Sequence, residues 1–234
     1  MKKFIAMLLV LVMAMSFAAC GASEPAFDPL QKAEGTMTYA EYAAAALESP
    51  VVVECFVQGN QSWWDNKITV YAQDPDGAYF LYEMACSEED AAKLVNGTQI
   101  KVTGYKAEWS GVLEIIVSTF EILEGNWVAE AQDVTELLGS DELINHQNKF
   151  VSFKGLTVEN IEYKNGEPGD DIYVTFGYNG ASYDFCVERY LTGPETEVYA
   201  AVGALKAGDV VNVEGFLYWY NGANTHITSV TPAA

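Results

Sequence analysis

Basic side chains are scarce in this sequence. Its 234 residues include 12 lysines and arginines against 33 aspartates and glutamates, which gives a formal net charge of −21. Arg189 is the single arginine. Because affinity for nucleic acids rests largely on lysine and arginine side chains that neutralise phosphates, this composition argues against nucleic acid as a partner. It also disfavours an enzyme that needs cationic groups around a phosphate.

Residue patterns typical of metal and catalytic sites are also missing. The two histidines, His146 and His226, are far apart in the chain and fit no zinc-binding spacing. The acidic clusters Asp74–Asp76, Glu88–Asp90 and Asp170–Asp171 do not have the spacing of a calcium loop. No set of nucleophile, base and oxyanion donors can be assembled. We therefore expect a non-catalytic protein without a metal or another cofactor.

Cysteines are few as well, since only Cys55, Cys86 and Cys186 follow Cys20. In an exported protein Cys55 and Cys86 could form a disulfide, because both fall in the first half of the chain. The alternative is that all three are buried free thiols, and disulfide geometry is too restrictive to be decided from sequence.

The N-terminal apolar run, Phe4–Phe17, is too short for a comfortable membrane span and follows Lys2 and Lys3. This pattern predicts a signal peptide over residues 1–19. The following Ala18–Gly21 stretch resembles the lipobox of bacterial lipoproteins, which implies that Cys20 is lipidated and anchors an extracytoplasmic protein to the cell membrane. The alternative is an ordinary secretory signal cut near Ala19. Residues 20–36 have no apolar period and predict a flexible tether.

One stretch of the sequence occurs twice. Gly97–Phe120 aligns with Gly208–Thr231 without a gap, at a constant offset of 111 positions. Identical residues at corresponding positions include Gly97, Val102, Gly104, Gly111, Ile116 and Ser118 of the first copy. Earlier positions correspond at offsets of 104 and 103. The repeat predicts two similar units, at residues 37–125 and 126–234.

Each unit shows the same order of elements. In the first, strands are predicted at Val51–Gln58, Lys67–Gln73 and Ala78–Ala85, followed by a short helix capped by Ser87 and two further strands. A capping box at Thr38 and Glu41 predicts a helix ahead of these strands. In the second unit we expect a helical lead over Val134–His146, strands at Lys149–Glu159, Asp171–Tyr178 and Ala181–Val187, a longer helix within Leu191–Ala207, and two final strands.

Three strands, a helix and two strands are the order of the OB-fold, a five-stranded barrel. We therefore predict a mainly β protein with two tandem OB-fold-like barrels. Another small barrel or sandwich is the alternative. The stretches Gln61–Asn66 (QSWWDN), Met84–Asp90 (MACSEED) and Ile100–Gly111 (IKVTGYKAEWSG) resemble lipoproteins of Gram-positive, clostridia-like bacteria that carry tandem OB-fold repeats. The resemblance covers nearly all of the mature chain and implies architecture rather than activity.

Aromatic side chains are concentrated where OB-folds bind ligands, in the loops between strands 1 and 2 and between strands 4 and 5. The candidate binding residues are Trp63, Trp64, Tyr105, Trp109, Tyr163, Tyr218, Trp219 and Tyr220. We expect Trp63, Trp64 and Trp109 to converge on one side of the first barrel. The alternative is that the rings close the barrel mouths as part of the core.

These observations together favour a membrane-anchored binding or interaction module for a glycan, peptide or protein. One alternative is a structural envelope lipoprotein without a small-ligand site. Single-stranded nucleic-acid binding is the least favoured alternative.

Overall fold

The computed structural model describes residues 27–233. The predicted signal peptide and the lipidated Cys20 lie outside these residues and stay predictions. Of the predicted tether over residues 20–36, the described residues 27–36 lie against the first unit instead of forming a free linker. Phe27 contacts the ring of Phe56 edge-to-face at 5.8 Å, and the Lys32 ammonium is 2.7 Å from the buried carboxylate of Asp74.

The first unit is a closed five-stranded barrel with strand order β1-β2-β3-β5-β4. All neighbouring pairs are antiparallel except β3 and β5, which run parallel. This is the topology expected of an OB-fold, with a helix between the third and fourth strands. Its elements are α1 (Tyr39–Ala44), β1 (Pro50–Asn60), β2 (Lys67–Gln73), β3 (Ala78–Ala85), α2 (Glu88–Ala91), β4 (Thr98–Trp109) and β5 (Val112–Asn126).

Local sequence signals account for the boundaries of these elements. The side chain of Thr38 accepts a hydrogen bond from the Glu41 amide, and Glu41 in turn accepts one from the Thr38 amide, so the predicted capping box is confirmed. The side chain of Ser87 accepts a hydrogen bond from the Asp90 amide and so caps α2. The carboxylate of Asp74 accepts hydrogen bonds from the amides of Asp76 and Gly77 and closes the hairpin between β2 and β3.

The second unit repeats this arrangement in a sheet of order β10-β11-β9-β8-β7-β6, in which β10 also pairs with β7 and closes the sheet. Here β9 and β11 run parallel, as do the short β6 and β7. The elements are β6 (Gln132–Asp133), β7 (Phe150–Tyr163), β8 (Ile172–Tyr178), β9 (Ala181–Val187), α3 (Glu197–Gly203), β10 (Val210–Phe216) and β11 (His226–Pro232). The prediction of two tandem OB-fold-like barrels is confirmed.

The helices of the second unit differ from the predictions. In place of one helical lead over Val134–His146 there are two short 3₁₀ helices, Thr135–Leu137 and Leu143–His146. Gly139 lies between them at a φ of +81°, a left-handed conformation that ends a right-handed helix. The expected longer helix within Leu191–Ala207 is confined to α3, because the preceding residues form turns.

Each unit has its own apolar core, and a third apolar cluster joins the two. In the joining cluster Tyr71 and Phe80 of the first unit and Phe216 of the second are almost completely buried. The rings of Tyr71 and Phe216 stack with centroids 4.4 Å apart and planes 13° apart. The two barrels are therefore docked on each other through aromatic side chains. Within residues 27–233, no helix combines the length and apolar character needed to cross a membrane.

The cysteines Cys55, Cys86 and Cys186 are free and buried. Of the two alternatives left open by the sequence, the structure therefore agrees with buried free thiols and not with a disulfide between Cys55 and Cys86.

Candidate functional site

The turns between the last two strands of each unit touch each other. Trp109-Ser110-Gly111 and Tyr220-Asn221-Gly222 occupy equivalent positions in the repeat, 111 residues apart. Both turns use left-handed conformations, with φ of +50° at Ser110 and +55° at Asn221. The amide of Asn221 donates a hydrogen bond to the carbonyl of Ser110 at 2.8 Å. A Cβ atom on Gly111 would lie 2.7 Å from Trp219, so this position has no room for a side chain.

This contact brings the aromatic residues that precede the two turns to the same part of the surface. Trp109 is 60% exposed and Tyr220 is 56% exposed. Tyr218 connects this part of the surface to the buried joining cluster. Its ring stacks on His226 with centroids 4.5 Å apart and contacts Phe80 edge-to-face with centroids 5.4 Å apart. The exposed Tyr82 also lies near Phe80, with ring centroids 6.3 Å apart. We call Tyr82, Trp109, Tyr218, Trp219 and Tyr220 the junction aromatic surface.

Carboxyl groups lie beside the junction aromatic surface, with Glu114 near Tyr218 and Glu83 near Tyr82. Burial raises the pKa of Tyr218 to about 12, and the nearby Glu114 carboxyl adds to this effect. Burial also raises the pKa of Glu114 above its ordinary value. The Tyr218 hydroxyl therefore stays protonated at physiological pH. Flat exposed rings and phenol groups can stack on planar ligands and form hydrogen bonds with them.

Four of the predicted binding residues belong to this surface: Trp109, Tyr218, Trp219 and Tyr220. The other four lie elsewhere. Trp63 is structural, since its Nε1 donates a hydrogen bond to the Cys86 carbonyl at 2.8 Å and its ring contacts the first core. Tyr163 packs against the second core. Tyr105 is exposed on β4, four residues before Trp109, and Trp64 is 80% exposed in the loop between β1 and β2.

The expectation that Trp63, Trp64 and Trp109 converge is wrong. Phe56 pairs with Gln99 in the ladder between β1 and β4, so the loop after β1 lies at the end where β4 begins. Trp109 lies at the other end of β4. Ten residues of extended strand span about 33 Å, which separates the two loops.

The second unit occupies the face of the first barrel between these loops. The amide of Ser62 in the β1–β2 loop donates to the carbonyl of Tyr190 at 2.7 Å. At the other end, the amide of Leu113 donates to the Gln147 side chain at 2.7 Å. The rings that cover β2 and β3 between these contacts belong to the joining cluster. The face that OB-folds commonly use for ligands is thus covered by the partner barrel here.

The buried residues of this junction are not among the predicted binding residues, although the repeat contains a signal for them. Tyr71 and Phe80 form a cross-strand pair in the first unit. At an offset of 104 the corresponding pair in the second unit is Thr175 and Asp184, which hydrogen-bond to each other at 2.7 Å near the surface. An aromatic pair replaced by a polar pair indicates that the two equivalent faces have different surroundings.

No candidate metal centre is present in the part of the chain that the structure describes, since residues 27–233 contain no group of three or more histidine, cysteine, aspartate or glutamate side chains that could hold an ion.

The matches to known proteins are distant. No protein-family profile matches the chain, and no curated protein matches it. Among solved structures, a murine DNA-binding protein bound to double-stranded DNA matches with a TM-score of 0.36 and 15% identity over 80% of this chain and 97% of that chain. The p202 HIN1 domain in complex with a 12-mer double-stranded DNA matches with a TM-score of 0.35 and 12% identity over 87% and 96%. The tetrameric p202 HIN2 domain matches with a TM-score of 0.33 and 12% identity over 79% and 95%.

These structures correct two predictions. The sequence favoured a membrane-anchored module for a glycan, peptide or protein, and it argued against nucleic acid as a partner. The predicted glycan, peptide or protein ligand and the argument against nucleic acid are corrected by these matches, which include chains solved in complex with double-stranded DNA. The membrane anchor stays a prediction, because residues 1–26 lie outside the described residues. Net charge measures only the phosphate contribution to affinity, whereas the stacking of bases on aromatic rings does not depend on it.

Proposed function

We propose that this chain binds single-stranded nucleic acid by stacking bases on the junction aromatic surface, and that it catalyses no reaction of the bound strand. The observation that supports the proposal is the contact between the two equivalent turns, each of which is preceded by an exposed aromatic residue, Trp109 in one and Tyr220 in the other. Stacking on such rings tolerates any base, because every base has a flat face.

The distribution of cations favours a single strand over a duplex as the ligand. Most lysines in the described residues already have partners: Lys32, Lys67, Lys93, Lys154 and Lys164 form ion pairs with carboxylates. Arg189 lies 3.9 Å from Asp170. Few cations therefore remain to neutralise a duplex backbone, and the bases of a duplex are not free to stack on a protein ring.

A titration of a fluorescein-labelled oligothymidine by fluorescence anisotropy tests the proposal. We expect Trp109→Ala and Tyr220→Ala each to weaken binding by about 1–3 kcal/mol, the contribution of one stacked base. Trp64→Ala is the matched control, because Trp64 is at least as exposed but lies at the other end of the first barrel. This control should leave the affinity unchanged.

The salt dependence of the same titration gives a second criterion. Each phosphate contact to a single strand contributes a slope of about −0.7 to the dependence of log K on log salt concentration. Binding by stacking should therefore show a shallow slope. The proposal is contradicted if no oligonucleotide binds at low salt, if a duplex of the same sequence binds more tightly, or if Trp64→Ala weakens binding as much as Trp109→Ala.

A further inference from the structure

A cleft of about 360 Å³ lies between the two units. Its volume falls within the range of small-molecule sites in proteins. The first unit contributes Gln58, Gly59, Asn60 and Asn96, and the residues that connect the units contribute Val128 and Ala129. Its remaining walls come from the second unit. The cleft shares Phe150, Leu191 and Phe216 with the joining cluster, but none of its lining residues belongs to the junction aromatic surface.

The cleft is held open by contacts that do not involve a ligand. The buried Gln58 side chain accepts a hydrogen bond from the Ala129 amide at 2.8 Å and donates to the Trp127 carbonyl at 3.3 Å. These bonds fix the connecting segment on the first unit. On the other side the ring of Phe216 lies against Gly59, where a Cβ atom would be 2.9 Å from the ring. The walls are therefore formed before any ligand arrives.

No lining residue of the cleft is ionisable, in a chain of net charge −21. Phe150 and Phe216, with centroids 5.5 Å apart, and Leu191 form an apolar wall. A phosphate or carboxylate placed here would lose its hydration without gaining a cation, which costs several kcal/mol. The lining therefore selects against anions.

Three side chains of the lining offer hydrogen-bond acceptors. The Asn60 amide nitrogen donates to the Leu94 carbonyl at 2.7 Å, which orients the side chain and leaves its Oδ1 as an acceptor. The hydroxyls of Thr192 and Thr228 donate to backbone carbonyls at 3.1 and 3.3 Å, so their oxygens also remain as acceptors. Such a site fits a ligand that brings its own N–H or O–H donors.

We propose that this cleft binds a neutral small molecule that has a flat or compact apolar body and hydrogen-bond donors at its edge. The proposal is independent of nucleic-acid binding at the junction aromatic surface. Adenosine is a suitable probe, because it is uncharged and combines a flat purine with amino and hydroxyl donors. AMP is the matched probe, since it differs from adenosine by one phosphate.

Titration of the ¹⁵N-labelled chain with adenosine, followed by NMR, tests the proposal. We expect saturable shifts at Asn60, Asn96 and Thr228 below about 10 mM, and binding of AMP at least about tenfold weaker. Val128→Trp should fill the cleft and weaken adenosine binding at least about tenfold. Val210→Trp is the matched control, because the two valines are similarly exposed, at 53% and 46%, and Val210 does not line the cleft.

A second variant, Thr228→Val, removes an acceptor with almost no change of volume and should weaken adenosine binding about three- to tenfold. The proposal is overturned if adenosine causes no saturable shifts, if AMP binds as well as adenosine, or if Val128→Trp and Val210→Trp bind it equally. Adenosine binding that Trp109→Ala abolishes and Val128→Trp leaves unchanged would place the ligand at the junction aromatic surface and also overturns the proposal. Failure of oligothymidine binding, with adenosine binding retained, would contradict only the nucleic-acid proposal.

Discussion

At the scale of single residues, His226 makes the junction between the units sensitive to pH. Its Nδ1 lies 2.5 Å from the Tyr71 hydroxyl, and its ring stacks on Tyr218. Burial lowers the pKa of His226 to about 4, an effect that the nearby Asp171 only partly opposes. The ring is therefore neutral at physiological pH, and Nδ1 can accept the hydrogen bond from Tyr71.

The stability contributed by a neutral His226 follows from this pKa. An unfolded histidine titrates near 6.5. Above that pH His226 is neutral in both the folded and the unfolded chain, so it causes no loss of stability. As the pH falls from 6.5 to about 4, the unfolded chain takes up a proton that the folded chain does not, and stability decreases. The full difference corresponds to about 3 kcal/mol.

Glu188 acts in the opposite direction at the same junction. Burial raises its pKa to about 7, although the amides of Tyr190 and Leu191 donate hydrogen bonds to its carboxylate. An unfolded glutamate titrates near 4.5, so stability is fully present below that pH and decreases as the pH rises to about 7. The contributions of His226 and Glu188 therefore partly cancel between pH 4.5 and 7.

We predict that substitutions of these two residues change the pH dependence of stability with opposite signs. Relative to wild type, His226→Gln should gain stability as the pH falls from 7 to 4.5, whereas Glu188→Gln should gain stability as the pH rises over the same range. Urea unfolding at several pH values measures both effects. His146→Gln is the comparison variant: burial also lowers the pKa of His146, but this residue is only half-buried and lies outside the aromatic cluster of the junction, so we expect a smaller effect of the same sign as that of His226→Gln. Parallel pH profiles for all three variants would contradict the prediction.

At the scale of elements, Lys106 of β4 stabilises the end of α1. Its ammonium group donates hydrogen bonds to the carbonyls of Tyr42, Ala43 and Ala45 at 3.1, 2.7 and 2.9 Å. Helix ends leave such carbonyls without partners, and α1 has no basic residue in its last turn. A lysine from a distant strand thus supplies the missing cap.

Replacement of this lysine should destabilise the first unit. Lys106→Met retains the apolar stem and leaves the three carbonyls without a donor, which should reduce the free energy of unfolding by about 2–3 kcal/mol. Lys101→Met is the matched control, because Lys101 lies on the same strand and has no side-chain hydrogen bond or ion pair within residues 27–233. Thermal and urea denaturation measure both. Equal effects of the two substitutions would show that the contacts of Lys106 contribute no net stability.

The strands and turns could be predicted from sequence because they depend on local signals. Alternating apolar residues in β4 and the Asn179-Gly180 turn between β8 and β9 specify their structure within a few residues. The prediction of one helical lead over Val134–His146 was wrong, because Gly139 interrupts the helical spacing of its leucines. The role of Tyr71 and Phe216 in joining the barrels could not be predicted from local signals. The burial of a ring that points out of its own barrel depends on which surface the other barrel covers.

At the scale of the whole molecule, the two barrels are joined by the aromatic joining cluster. Each has a closed sheet and its own core. We predict that residues 27–131 and 132–234 fold when expressed separately, each with a cooperative thermal transition. The first fragment must include Trp127 and Ala129, because Gln58 binds them, and it therefore extends past the boundary predicted after residue 125. A fragment without a cooperative transition would contradict independent folding.

The interface should nevertheless couple the two units in the intact chain. Phe216 is almost completely buried between Tyr71 and Phe150, and a buried aromatic ring contributes about 3–5 kcal/mol relative to alanine. We predict that the intact chain unfolds in one calorimetric transition and that Phe216→Ala separates it into two, because each core remains intact while the coupling is lost.

Tyr105→Ala is the matched control for this experiment. Tyr105 occupies the same position in the first repeat, 111 residues before Phe216, but it is exposed because no other barrel covers that side of β4. The same repeat position is thus a docking residue in one unit and a surface residue in the other. Tyr105→Ala should retain a single transition near the wild-type temperature. Two transitions in the wild-type chain, or in the Tyr105→Ala chain, would show that Phe216 is not what couples the barrels.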